Sequence, residues 1–152
     1  MIDFEFEERE IPGFDPEFFV LCLQELIKNE GKSTGDITIV FCSDEYLLAL
    51  NREHLDHDYY TDIITFDYCF QNLISGDLFI SLDRVEENAK DFNTIFSNEL
   101  ARVIFHGVLH LCGYKDKSQE DQQVMRSKEQ FYLDQYVSRE TFDWNKQKKT
   151  ED

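Results

Sequence analysis

The sequence predicts an α+β domain: one mixed sheet of about four strands with helices packed on it, in the order β-α-β-α-β-β-α-α-α. Three observations carry this. Short β-branched or alternating stretches sit in the first half, apolar stripes of helical period with capping residues lie between and after them, and the last three elements all read as helices. Residues 2–7, IDFEFE, alternate with Ile2, Phe4 and Phe6 on one face and acids on the other, the pattern of a half-buried strand. Asp15 caps a helix with Pro16 at its first position, Phe18, Phe19, Cys22, Leu23, Leu26 and Ile27 form its apolar stripe, and Gly31 marks its end. Residues 36–42, DITIVFC, read as the second strand. Ser43 then opens a short helix through Leu47, Leu48 and Leu50, and EHLDHDYY, residues 53–60, reads as a polar loop.

Residues 62–68, DIITFDY, are the third predicted strand, and Gly76 precedes a fourth, DLFISL. Asp83 with Glu86 resembles a capping box for a helix ending near Phe92. Ser97 is the expected cap of the next helix, which carries Leu100, Val103, Ile104, Val108 and Leu111 and stops at Gly113. Ser118 starts a last long helix with Val124, Met125, Phe131 and Leu133. We expect a single domain over residues 1–143 and a polar tail over 144–152.

A chain of 152 residues is long enough for one real core. Its apolar runs fall short of the ~18 residues a membrane-spanning helix needs. The acidic start MIDFEFEERE does not resemble a signal peptide, so a cytoplasmic protein is expected. Cys22, Cys42, Cys69 and Cys112 form no CxxC and are expected to be reduced, small apolar residues. The net charge of −17 repels nucleic acid and anionic membranes, over about 8 Å at physiological salt. A nucleic-acid function therefore needs a local basic patch, a metal, or a partner that delivers the substrate. Lys115, Lys117, Arg126 and Lys128 are the candidates for such a patch.

The densest chemistry lies in HGVLHLCGYKDK, residues 106–117. Four residues along a helix bring His106 and His110 to one face, one turn apart. Gly113 breaks the helix, and Asp116 just beyond can return as an oxygen donor. Two imidazoles and one carboxylate would leave a zinc ion with an open position, as catalytic sites do; iron, manganese and nickel also suit such donors. Histidines at this spacing also occur where no metal binds. The apolar flanks Val103, Ile104, Val108, Leu109 and Leu111, small Gly107, and the glycine and acid that follow favour the metal. Gly107 stands where many zinc peptidases carry their glutamate base, which argues against that chemistry. The loop adds His54, Asp56, His57, Asp58 and Asp62, which are either proton-transfer groups or a solvated loop. Asp62 is a weak catalytic candidate, and Asp77 is either a similar residue or ordinary turn chemistry. Tyr59, Tyr60 and Tyr68 could stack on bases or belong to the core.

HGVLHLCGY resembles the signature H-G-x-L-H-L-x-G-Y-D-H of the YbeY family of bacterial metal-dependent endoribonucleases. LNREHLDHDYYTDIITF, residues 50–66, is similar to that family's L-N-x-x-Y-R-x-x-D-x-P-T-D-V-L-S-F block. GDLFISLDR resembles its G-D-I-x-I-S strand, and Met125 with Glu129 fits its M-x-x-x-E. The resemblance implies zinc-dependent, single-strand-selective cleavage of ribosomal RNA, in maturation of the 3′ end of the small-subunit RNA and in ribosome quality control. It implies one zinc per chain, ribosomal RNA and ribosomal proteins as partners, and no nucleotide cofactor. Two of the three ligand histidines carry over as His106 and His110. The third aligns with Asp116, and the acid before it is Lys115. A carboxylate can ligate zinc, but it lowers the site's net charge and makes the ion a weaker Lewis acid. The family's Y-R pair aligns with His54 and Leu55, and Leu55 cannot replace an arginine that contacts substrate. Arg52, three residues back, is a weak substitute, and Tyr60 stands for a proline. Two other readings remain open: a non-catalytic ribosome-associated factor whose metal is structural or lost, and a metal hydrolase of small substrates.

Overall fold

A computed structural model describes residues 1–55 and 61–137. Its elements run β1 (Ile2–Phe6), α1 (Pro16–Asn29), β2 (Ser33–Cys42), α2 (Asp44–Leu55), β3 (Ile63–Asp67), β4 (Leu73–Ser81), α3 (Leu82–Asp91), α4 (Phe96–Leu111) and α5 (Gln119–Tyr136). The predicted order and the α+β class are both observed. Tail residues 144–152 lie outside the described residues, as do Asp56, His57, Asp58, Tyr59 and Tyr60.

The four strands form one sheet in the order β1-β2-β4-β3. β1 and β4 both run parallel to β2, while β3 is antiparallel to β4 at the edge. Alternation along the strands divides the two faces. Ile37, Ile39, Phe41, Leu78 and Ile80 face the main core, with α1 and α4 packed over them. Ile64, Phe66 and Phe79 face the other way, where α2 adds Tyr46, Leu47 and Leu50. α4 lies at the centre of the larger layer, with 11 of its 16 residues buried, and α3 and α5 flank it.

Asp15 accepts from the Phe18 amide and Pro16 opens α1, as expected. Ser118 and Asp121 close a reciprocal capping box at the start of α5. Other boundaries depart from expectation. α2 continues through Glu53, His54 and Leu55, because no glycine or proline interrupts it before the loop. β4 begins at Leu73, so Gly76 is inside the strand. A Cβ there would lie 2.5 Å from the Phe66 carbonyl oxygen, so the close β3–β4 approach requires the glycine. α3 is capped by Ser81, whose Oγ accepts from the Arg84 amide. Asp83 instead accepts from the Asp44 amide and pairs with Arg9. Ser97 does not cap α4: the cap is Ile95, with no side-chain bond, and the Ser97 hydroxyl is buried without a partner.

All four cysteines are free, Cys22 and Cys42 fully buried and Cys69 and Cys112 partly so. Burial pushes the thiols of Cys22, Cys42 and Cys112 up to about 12, which leaves them protonated and inert. No helix among the described residues is long and apolar enough to cross a membrane.

Candidate functional site

α4 carries the site because its buried stripe fixes its rotation. Gly107 packs directly on the sheet: a Cβ there would stand 2.7 Å from Ile63 Cδ1 and 2.9 Å from Leu78 Cδ1. The glycine therefore lets the helix approach the sheet where an ordinary side chain would hold it off. With Gly107 inward, His106 is held at the margin of the core, 22 % exposed, and His110 stands one turn on at the surface.

Glu129 of α5 grips His106 from behind. Its Oε2 lies 2.6 Å from His106 Nδ1, and its Oε1 accepts from Arg102 Nη1 at 2.9 Å. Arg102 is held in turn by Glu99, through Nε at 2.9 Å and Nη2 at 2.5 Å. Glu99 and Glu129 are both almost fully buried, so each charge needs this pairing. Burial opposes the His106 charge. The hydrogen bond and charge of Glu129, with Asp62 and Asp116 beyond, outweigh it and hold the imidazole above its ordinary range. Burial likewise opposes the Glu129 charge, but His106 and Arg102 hold that carboxyl below its ordinary range.

His110 is oriented by backbone: its Nδ1 donates to the Tyr114 carbonyl at 3.1 Å. Both histidines thus commit Nδ1 to a protein acceptor, so that in the neutral ring Nε2 carries the lone pair. A ring N–H held by a carboxylate or a carbonyl is the usual outer support of a metal-ligating histidine. The Nε2 of His106 faces Asp116, with Oδ2 at 3.4 Å. Asp116 sits on the turn between α4 and α5, 48 % exposed, and Gln122 Nε2 donates to its carbonyl at 3.1 Å. Among the described residues, no three His, Cys, Asp or Glu groups converge closely enough to hold one ion as they stand. The donor types, with each Nε2 turned away from the Nδ1 support, nevertheless fit a zinc-like ion.

The structure brings Asp62 to this region as a charge acting on His106, with its carbonyl bonded to the Ser81 amide. Arg52 is exposed on α2, the helix on the opposite face of the sheet. Asp77 is likewise on that far face, because it alternates with Leu78, which packs on Gly107. Tyr68 is 61 % exposed and is not a core residue. Lys128 pairs with Glu30 at 3.1 Å rather than joining an open basic patch. The outer supports Glu99, Arg102, Glu30 and Tyr114 were not anticipated from sequence, and Glu129 was matched to a motif without a role. Glu99, Arg102 and His106 do share one face by their i, i+3, i+7 spacing, which was the readable signal.

Fold and site together define an α+β domain with a helix-borne histidine pair, one ring braced by a buried carboxylate from the following helix. The chain belongs to the endoribonuclease YbeY family, whose model matches residues 4–137. An endoribonuclease YbeY from Flavobacterium johnsoniae is 53% identical over 129 residues, covering 85% of this chain and 92% of that protein. One from Christiangramia forsetii is 48% identical over 132 residues, covering 82% and 92%. A solution structure of a Thermotoga maritima protein superposes with a TM-score of 0.61 at 27% identity, covering 94% of this chain and 96% of that one.

Proposed function

We propose that the protein is a zinc-dependent endoribonuclease that cleaves single-stranded segments of ribosomal RNA, in maturation of the small-subunit 3′ end and in ribosome quality control in the cytoplasm. His106, His110 and Asp116 hold the metal in this reading, and ribosomal RNA with ribosomal proteins supplies the partners. The observation that carries it is the His106 clamp: Nδ1 on Glu129 at 2.6 Å, Nε2 facing Asp116 at 3.4 Å. Two donor atoms each about 2.1 Å from one tetrahedral ion stand about 3.4 Å apart. That separation is long for a charge-assisted hydrogen bond, which prefers roughly 2.7–2.9 Å.

The bound ion would supply Lewis-acid stabilisation of charge developing on the phosphoryl oxygens. The chain's own groups do the rest. Glu129 and the Tyr114 carbonyl hold the two imidazoles in the tautomer that presents Nε2. Asp62, whose charge acts on His106, would in this reading orient a water or the ribose 2′-hydroxyl. Attack by the 2′-hydroxyl needs no protein nucleophile and leaves a 2′,3′-cyclic phosphate, whereas attack by water does not. The test is cleavage of matched single-stranded and duplex RNA by zinc-loaded protein, with end-group analysis. Selective cleavage of the single strand, abolished in His110→Ala, is expected. Undiminished cleavage by His110→Ala would refute the assignment.

A further inference from the structure

We infer that Glu30 is a positioning residue: acting through Tyr114, it fixes the ring of His110. Glu30 is the C-cap residue just after α1, and Gly31 at φ +77° turns the chain away behind it. Its carboxylate is 7 % exposed and accepts three side-chain donors: Tyr114 Oη at 2.6 Å, Lys128 Nζ at 3.1 Å, and the Tyr132 hydroxyl. Lys128 also sits over the Tyr114 ring, 5.5 Å from its centre.

Tyr114 is therefore pinned at both ends. Its hydroxyl is held by Glu30, its amide donates to the Leu109 carbonyl at 3.1 Å, and its own carbonyl takes the His110 Nδ1 proton. Leu111, Cys112 and Gly113 separate the two residues, with Gly113 at φ +113° making the turn, which is closed by the Gly113 amide on the His110 carbonyl at 3.0 Å and by the Tyr114 amide on the Leu109 carbonyl. Those bonds hold the Tyr114 amide, whereas its carbonyl belongs to the next peptide plane, and the ring anchored on Glu30 adds the further restraint on its direction. A buried carboxylate is a costly way to add stability alone, since an apolar residue would fill the site at lower desolvation cost. What the carboxylate adds is direction, through three converging bonds. Burial opposes the Glu30 charge, and these bonds with the Lys128 ammonium overcome it and hold the carboxyl below its usual range. The consequence for metal binding rests on the zinc reading above; the consequence for the His110 ring does not.

The experiment is proton–nitrogen NMR of the imidazoles in metal-free protein, with the His110 Nδ1–H signal assigned by its loss in His110→Ala. A protected His110 Nδ1–H is expected in the wild type and in Glu30→Gln, whose amide oxygen still accepts the Tyr114 hydroxyl. At least tenfold faster exchange of that proton is expected in Glu30→Ala and in Tyr114→Phe. The latter removes one hydroxyl and decides the matter if Glu30→Ala does not fold. Unchanged exchange in Tyr114→Phe, or no protected signal in the wild type, overturns the inference. Zinc titration of the same proteins separates the two claims. Binding weakened about tenfold in Tyr114→Phe is expected for an outer support. A wild type that shows the NMR effect but takes up no zinc would sink the metal reading and leave the role of Glu30 standing.

Discussion

Glu129 divides one buried carboxylate between two neighbours, Arg102 on Oε1 and His106 on Oε2. Replacing it by Gln keeps the shape but removes the charge that aligns the imidazole. Glu129→Gln is expected to weaken zinc binding about 10- to 100-fold, read by competition with a chromophoric chelator; unchanged affinity would show that His106 is oriented by something else. Arg102 makes the complementary case. Its loss leaves Glu99 and Glu129, 2% and 4% exposed, without their shared cation. Arg102→Ala should therefore cost about 3–5 kcal/mol of unfolding free energy by chemical denaturation. A cost under about 1 kcal/mol would mean that water or rearranged neighbours neutralise the pair.

At the level of elements, the site depends on how closely α4 and β3 approach β4. Gly76→Ala places a methyl group 2.5 Å from the Phe66 carbonyl, and backbone in a sheet cannot yield as a side-chain tip can. A loss of about 1–3 kcal/mol is expected in thermal or chemical unfolding, and a neutral result would contradict the packing described. Much of this layer was legible in sequence. The stripe of α4, the shared face of His106 and His110, and the glycine-terminated end all follow from a 3.6-residue period. The caps were less legible. Ser97 and Asp83 have the right chemistry for helix starts, but Ser97 turns into the core and Asp83 is taken by Arg9 and the Asp44 amide. Local pattern cannot report such long-range competitors. Glu30 was hidden for the same reason: it meets Tyr114 and Tyr132 across 84 and 102 residues, and an acid near a helix end reads as solvated.

For the whole molecule, element order was readable from alternation and periodicity, while the strand order β1-β2-β4-β3 was not. Nothing in a half-buried strand names its neighbour before the crossovers are built. The net charge of −17 governs encounter with RNA. Binding to protein-free RNA is expected to be roughly micromolar or weaker at physiological salt and to fall as salt rises. Tight, salt-insensitive binding in a filter assay would contradict this. Stability should depend on acid. Glu30 is held below its ordinary range by Tyr114, Tyr132 and Lys128 against the opposing effect of burial, and Asp83 chiefly by the Asp44 amide and also by Arg9. Carboxyls depressed in the folded chain stabilise it above their unfolded values of about 4, and that contribution is lost as pH falls through the folded values. The midpoint of thermal unfolding should thus hold near neutrality and drop below about pH 4.5, less steeply in Glu30→Gln; an equal drop in both would remove Glu30 from this account.

The proposed chemistry rests on one zinc ion held by His106, His110 and Asp116. Elemental mass spectrometry of tag-free protein tests it most directly, with His106→Ala and Asp116→Ala measured beside the wild type. About one zinc per chain, lost in both variants, is expected. Zinc retained by Asp116→Ala would place that carboxylate outside the shell, and a wild type without zinc even after reloading would contradict the claim outright.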